Sequence, residues 1–224
     1  MNYKKHFSII LMAIVNANYE FLMVHVGTNG RASDAGLFSE LEFFERLKKK
    51  DLGIPEAEQL PGYDPKMPYV LVADDAFPLM ENIMKPYSHT TMKEEEIIFN
   101  YRLSRARRIV ENVFGILTSR FRILLRTINL SPEKVTTIVL TCCYLHNYLR
   151  QMRDTQMHIV TEASIGQTIS ESANLDELAP TIIRNSSNAA KEIRDKFCHY
   201  FYTVGAVPWQ NKMLGKYIAK MCFI

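Results

Sequence analysis

Between Arg102 and Arg126 the chain carries seven arginines and a single acid, Glu111. Leu103, Ala106, Val110, Val113, Phe114, Leu117, Phe121 and Leu124 recur through the stretch at helical spacing. One long helix with an apolar stripe is predicted. Glu111 lies off that stripe, with Arg107 and Arg108 four and three residues before it. Gly115, one turn later, leaves space beside the carboxylate. Two readings are open. Glu111 is a metal ligand facing a phosphate backbone, or it forms an intrahelical ion pair of about 0.2–0.5 kcal/mol, the plainer of the two.

The 224 residues are 47% hydrophobic and 23% charged. They suit one packed domain, with room for an appendage. A net charge of +3 says little about partners; the clustered arginines say more, because they set up a local positive field. Cys142, Cys143, Cys198 and Cys222 contain no C-x-x-C pair, so neither a disulfide framework nor a zinc site is expected. A reduced setting follows, and the expected location is nucleus and cytoplasm. Lys4 and Lys5 before the apolar run Phe7–Val15 resemble a short signal peptide, and Asn129 and Asn185 open glycosylation sequons. The strand-like segment directly after the run and the cysteine usage argue against secretion. No apolar run approaches the roughly 20 residues of a membrane span.

Residues 7–15 read as a strand buried on both faces. Asn16–Asn18 is a turn, and 19–26 is the returning strand, closed by Gly27–Gly30. Ser39 and Glu42 have capping-box spacing for a helix running to about Lys50 and ended by Gly53. Residues 53–68 form a Pro/Gly-rich loop. Residues 69–73, YVLVA, make a further buried strand ending in Asp74-Asp75. Those acids either sit at a sheet rim as site residues, or Asp75 caps a helix over 76–84. Lys93–Glu96 reads as a solvated face.

Ser131-Pro132-Glu133 starts a helix over 132–150. Its Cys142 and Cys143 read as core thiols and its His146 as an interior histidine rather than a ligand. Residues 154–188 are polar without a period and are expected to be flexible. A helix over 189–202 ends at Gly205, and Val207–Gln210 is an extended anchor holding the one tryptophan. Residues 211–224 have no assignment. The domain expectation is 1–153 as the core, 154–188 as a flexible polar segment and 189–224 as a C-terminal helix and tail. The order of elements implies an α/β domain with a small mixed sheet flanked by helices.

Asn16, Asp74 and Glu111 stand where carboxylates from separate elements would converge on Mg²⁺ or Mn²⁺ for two-metal phosphoryl chemistry. Such spacing alone is not specific. The segments SIILMAIVNANYEF, VGTNGRASDAGLF, PYVLVADDAFPL, RARRIVENVFGILTSRFRIL, CCYLHNYL and GAVPWQ are more so. In that order they resemble the Harbinger transposase-derived nucleases, the PIF/Harbinger branch of the DDE transposases, over most of residues 2–210.

The resemblance implies an RNase H-like fold, N-terminally shortened here, and a metal-dependent DNA endonuclease ancestry. It places the second aspartate of the triad on Asp74 and the glutamate on Glu111. The first aspartate falls on Asn16, in a stretch usually written V-D-A-N, so catalysis is expected to be impaired. Asp34 is either a residue supporting the site or a helix cap. Arg105, Arg107 and Arg108 are candidate phosphate contacts, or surface arginines paired with nearby acids. The alternative reading is a non-catalytic DNA- or protein-binding module domesticated from a transposase. The family's habit of working with a Myb-like DNA-binding partner makes such a partner an expectation here.

Overall fold

The computed structural model describes residues 8–29, 41–88, 92–156 and 186–211. They pack as two compact units. The first draws on Met1–Ala32 and Ile109–Leu178, the second on Ser33–Arg108 and Ala179–Ile224.

In the first unit β1 (Ile9–Val15) and β2 (Phe21–Asn29) form an antiparallel hairpin, with Val15 opposite Phe21 and Ile9 opposite Asn29. β1 is half-buried rather than buried on both faces; only Met12 is fully covered. Leu11, Ala13 and Val15 share one face by strand alternation and pack on a core of Phe21, Val113, Leu117, Cys142 and Cys143. Among the described residues no third strand joins this sheet. Gly27 was expected to close the hairpin but lies within β2 at φ +121°, where an added Cβ would meet the Thr136 hydroxyl at 3.4 Å. It serves close approach of strand to helix. α3 (Pro132–Gln156) packs on β2 and runs six residues past its expected end. Burial pushes the Cys143 thiol up to about 11, as an inert core thiol requires.

In the second unit α1 (Glu42–Lys48) has Leu41 at its N-cap without a side-chain cap bond. Ser39, the expected capping residue, and Asp34 lie outside the described residues. α1 stops before Gly53, because Lys50 already takes the left-handed conformation at φ +57°. The expected loop contains a short antiparallel pair, β3 (Glu58–Gln59) with β4 (Lys66–Met67). β5 is only Leu71–Val72, pairs parallel with β6 (Ile83–Met84), and leaves Val72 exposed. The helix expected over 76–84 does not form. Pro78 lacks an N–H and biases Phe77 away from the helical region. The chain turns at Asp74–Phe77 instead and returns as β6.

α2 (Glu94–Arg120) starts eight residues before Arg102 and breaks at Phe121, ahead of a 3-10 turn at Arg122–Leu125. Lys93–Glu96 is therefore a helix start. Three glutamates occupy the first turn, where the dipole favours anions, and Glu96 accepts from the Lys93 N–H at 2.9 Å. Near the other end the Thr118 and Ser119 hydroxyls bond to carbonyls of the preceding turn, which competes with helix continuation. Phe121 and Leu124 turn onto the first unit's core.

α4 (Asn188–Tyr202) is capped by Ser187, whose side chain accepts from the Ala190 N–H at 3.1 Å. Val207–Gln210 is a turn rather than an extended anchor, closed by a bond from the Gln210 N–H to the Val207 carbonyl. Gln210 is buried, donating to the Phe201 carbonyl and accepting from Arg102. The class is mixed α/β. Among the described residues, however, the strands make three separate two-stranded sheets rather than one mixed sheet.

Candidate functional site

Asn16 follows the last residue of β1 and folds the hairpin turn with its own side chain. Its Oδ1 accepts from the backbone N–H groups of Asn18 (2.9 Å) and Glu20 (3.0 Å). Its Nδ2 donates to Glu20 Oε2 at 2.8 Å. The first two bonds are those of an Asx-type turn, which an aspartate makes equally well. The third is open only to the amide.

The turn is held from α3. His146 is fully buried, and its Nε2 lies 2.7 Å from the Tyr19 carbonyl oxygen. Asn147 accepts from the Phe21 N–H and donates to the Phe21 carbonyl, both at 2.8 Å, as a neighbouring strand would. Arg150 donates twice to the Asn18 carbonyl. Together they sustain Tyr19 at φ +64°, a conformation a bulky residue rarely adopts. Burial lowers the His146 pKa; the Tyr19 carbonyl opposes this, and Arg120 and Arg150 reinforce it. His146 is thus the interior histidine expected. Its clamp on Tyr19 and the roles of Glu20, Asn147 and Arg150 went unread, because a side chain that bonds to distant backbone leaves no spacing signal. The segment CCYLHNYL was the one hint.

Asp74 closes the turn that replaces the expected helix. One oxygen accepts from the Ala76 N–H at 2.9 Å, and the other lies 3.8 Å from Arg107 Nη2. Asp74 thus supports a turn rather than a helix start; Asp75 is exposed and pairs with Lys85 at 3.5 Å. Glu111 is exposed on α2 and bonds to no side chain among the described residues. The intrahelical ion pair with Arg107 or Arg108 is therefore not made. Arg107 faces Asp74, and Arg108 is exposed without a partner among the described residues. Arg105 lies 4.2 Å from the centre of the Trp209 ring. Arg102 donates to the Gly205 carbonyl at 2.7 Å and stacks on Phe201. Asn16 and Glu111 belong to the first unit, and Asp74 with Arg105, Arg107 and Arg108 to the second.

As a metal donor set these residues fit poorly. Asn16 is neutral, and its oxygen already accepts two N–H groups. Asp74 faces a guanidinium. Among the described residues no three His, Cys, Asp or Glu side chains gather as a cation would need.

Comparison with known proteins identifies the lineage. The family described as DDE superfamily endonuclease matches residues 1–147. "Protein ALP1-like" of Arabidopsis thaliana is 28% identical over 159 residues, covering 67% of this chain and 37% of its own length. "Putative nuclease HARBI1" of Bos taurus and of Homo sapiens are each 36% identical over 80 residues, 34% of this chain and 23% of theirs. The chain thus spans little more than a third of the curated relatives it matches, or less. No solved structure matches. With the family match running through β1, β2, Asp74, α2 and the His146–Asn147 pair, the chain belongs to the DDE superfamily endonucleases, in their Harbinger transposase-derived branch.

Proposed function

We propose that this chain is an RNase H-like, Harbinger-derived nuclease domain that no longer supports two-metal cleavage of DNA. Asp74 and Glu111 are the remaining anionic ligand positions, and Asn16 stands at the third. One observation carries the reading: the Asn16 amide donates to Glu20 at 2.8 Å, where an aspartate would set two carboxylates against each other. Family chemistry calls for pairs of Mg²⁺ or Mn²⁺ ions about 3.5–4 Å apart, held by anionic ligands. A neutral amide supplies geometry without charge, so no cleavage step is assigned to this site.

The second reading, binding of DNA without turnover, is favoured by Arg108, an exposed arginine with no partner among the described residues. Arg105 and Arg107 are weaker phosphate candidates, since an indole and a carboxylate already engage them. The test is nicking of supercoiled plasmid in Mg²⁺ or Mn²⁺. The native chain is expected to be silent. Robust nicking that survives Asp74→Asn would overturn the assignment of the triad.

A further inference from the structure

Two of the seven arginines in the basic stretch lie beyond the end of α2. Arg122 and Arg126 bracket the 3-10 turn after α2, are both exposed, and form no ion pair with any described residue. They line an open cleft of about 600 Å³ with Ile123, Thr127 and Ile128. No acid lines it. Between Asn112 and Pro132 the sequence has none, and Glu133, the next acid, is bonded to its own backbone N–H and to Ser131. Four other arginines are engaged within the protein. Arg102 holds the Gly205 carbonyl, Arg105 covers Trp209, Arg107 faces Asp74 and Arg150 holds the Asn18 carbonyl.

We propose that this cleft is a site for the phosphodiester backbone of DNA, with Arg122 and Arg126 as its phosphate contacts. Guanidinium groups present a rigid fork of donors that matches phosphate oxygens. Ile123, which is 46% exposed, and Ile128 supply an apolar wall for sugar or base. The proposal rests on the nuclease-derived reading for its ligand, but the cleft contains none of Asn16, Asp74 or Glu111. Exposed Leu125 and Leu130 nearby also suit an anionic lipid surface. A four-residue 3-10 turn is a poor in-plane amphipathic anchor, which favours DNA.

The experiment is fluorescence anisotropy of the full chain with a labelled random duplex, titrated with KCl. Each phosphate contact contributes a slope of about −0.9 in log K against log salt. Arg122→Gln with Arg126→Gln should flatten the slope by about 1.8 and weaken binding about 60-fold at 0.1 M salt. Lys191→Gln with Lys196→Gln removes the same charge from the exposed face of α4 and should leave the slope unchanged. Should the arginine pair fail to fold, phenylglyoxal labelling of the native chain decides: duplex should protect Arg122 and Arg126.

An unchanged slope, an equal loss in the lysine pair, or unprotected arginines would overturn the proposal. So would binding to phosphatidylserine vesicles through these arginines without binding to DNA. DNA binding that ignores the arginine pair sinks the cleft and leaves the nuclease-derived reading standing. That reading fails separately, in the nicking assay.

Discussion

Asn16→Asp tests the site most directly. The substitution changes almost no volume and keeps the oxygen that accepts from Asn18 and Glu20. It replaces the Nδ2 donor, 2.8 Å from Glu20 Oε2, with an anionic oxygen. At 4 Å two like charges repel by about 1 kcal/mol in water and about 4 kcal/mol at an effective dielectric near 20. The turn is half-exposed, so the lower end applies, and about 1–2 kcal/mol of destabilisation is expected. For a chain of this size that is a fall of about 2–8 °C in melting temperature. The assay is thermal unfolding of native and variant chains at pH 7.5 in EDTA, then in millimolar Mn²⁺. The variant should melt lower in EDTA and recover in Mn²⁺, while the native chain responds little to the cation. Adding Glu20→Gln should relieve the loss without metal. An Asn16→Asp chain as stable as the native one in EDTA would refute the like-charge argument. A native chain strongly stabilised by Mn²⁺ would refute the poor fit of its donor set.

His146→Gln should flatten stability against pH below about 6.5. The lowered pKa keeps the folded imidazole neutral, so its contribution is full above the unfolded value of about 6.5 and is lost as pH falls through the folded one; urea unfolding at several pH values reads this. Asn147→Ala removes both 2.8 Å bonds to Phe21 and should cost about 1–3 kcal/mol in the same assay, with faster hydrogen exchange at the Phe21 amide. Gly205→Ala places a Cβ 2.5 Å from the Tyr200 ring and should cost about 1–3 kcal/mol, measurable as a lower urea midpoint.

What could be read in advance was whatever periodicity or local chemistry encodes. The stripe from Leu103 to Leu124 marked a helix, and Ser131-Pro132-Glu133 marked the start of another. Boundaries followed tertiary forces instead. α2 grew toward its N-terminus because three glutamates suit the dipole there. The 76–84 helix fails at Pro78, which lacks the N–H that a helix interior needs. Gly27 was read as a turn residue, yet its freedom serves the approach of Thr136. The ion pair expected at Glu111 was lost to a competitor, because Arg107 reaches an acid 33 positions earlier in the chain. Spacing along a helix cannot reveal such a partner.

The turn at Asn16 shows why shape and charge separate here. Its geometry is over-determined: the side chain of residue 16 folds it, and His146, Asn147 and Arg150 grip the carbonyls of Tyr19, Phe21 and Asn18. That grip accompanies Tyr19 at positive φ, and strain of this kind concentrates at sites where position matters. An amide in place of an acid leaves every one of these backbone bonds intact. It removes one negative charge and satisfies Glu20 in the same step. On the proposed reading, an amide at position 16 therefore needs no compensating change in the fold of the turn. The frame that would orient an aspartate at position 16 is already built.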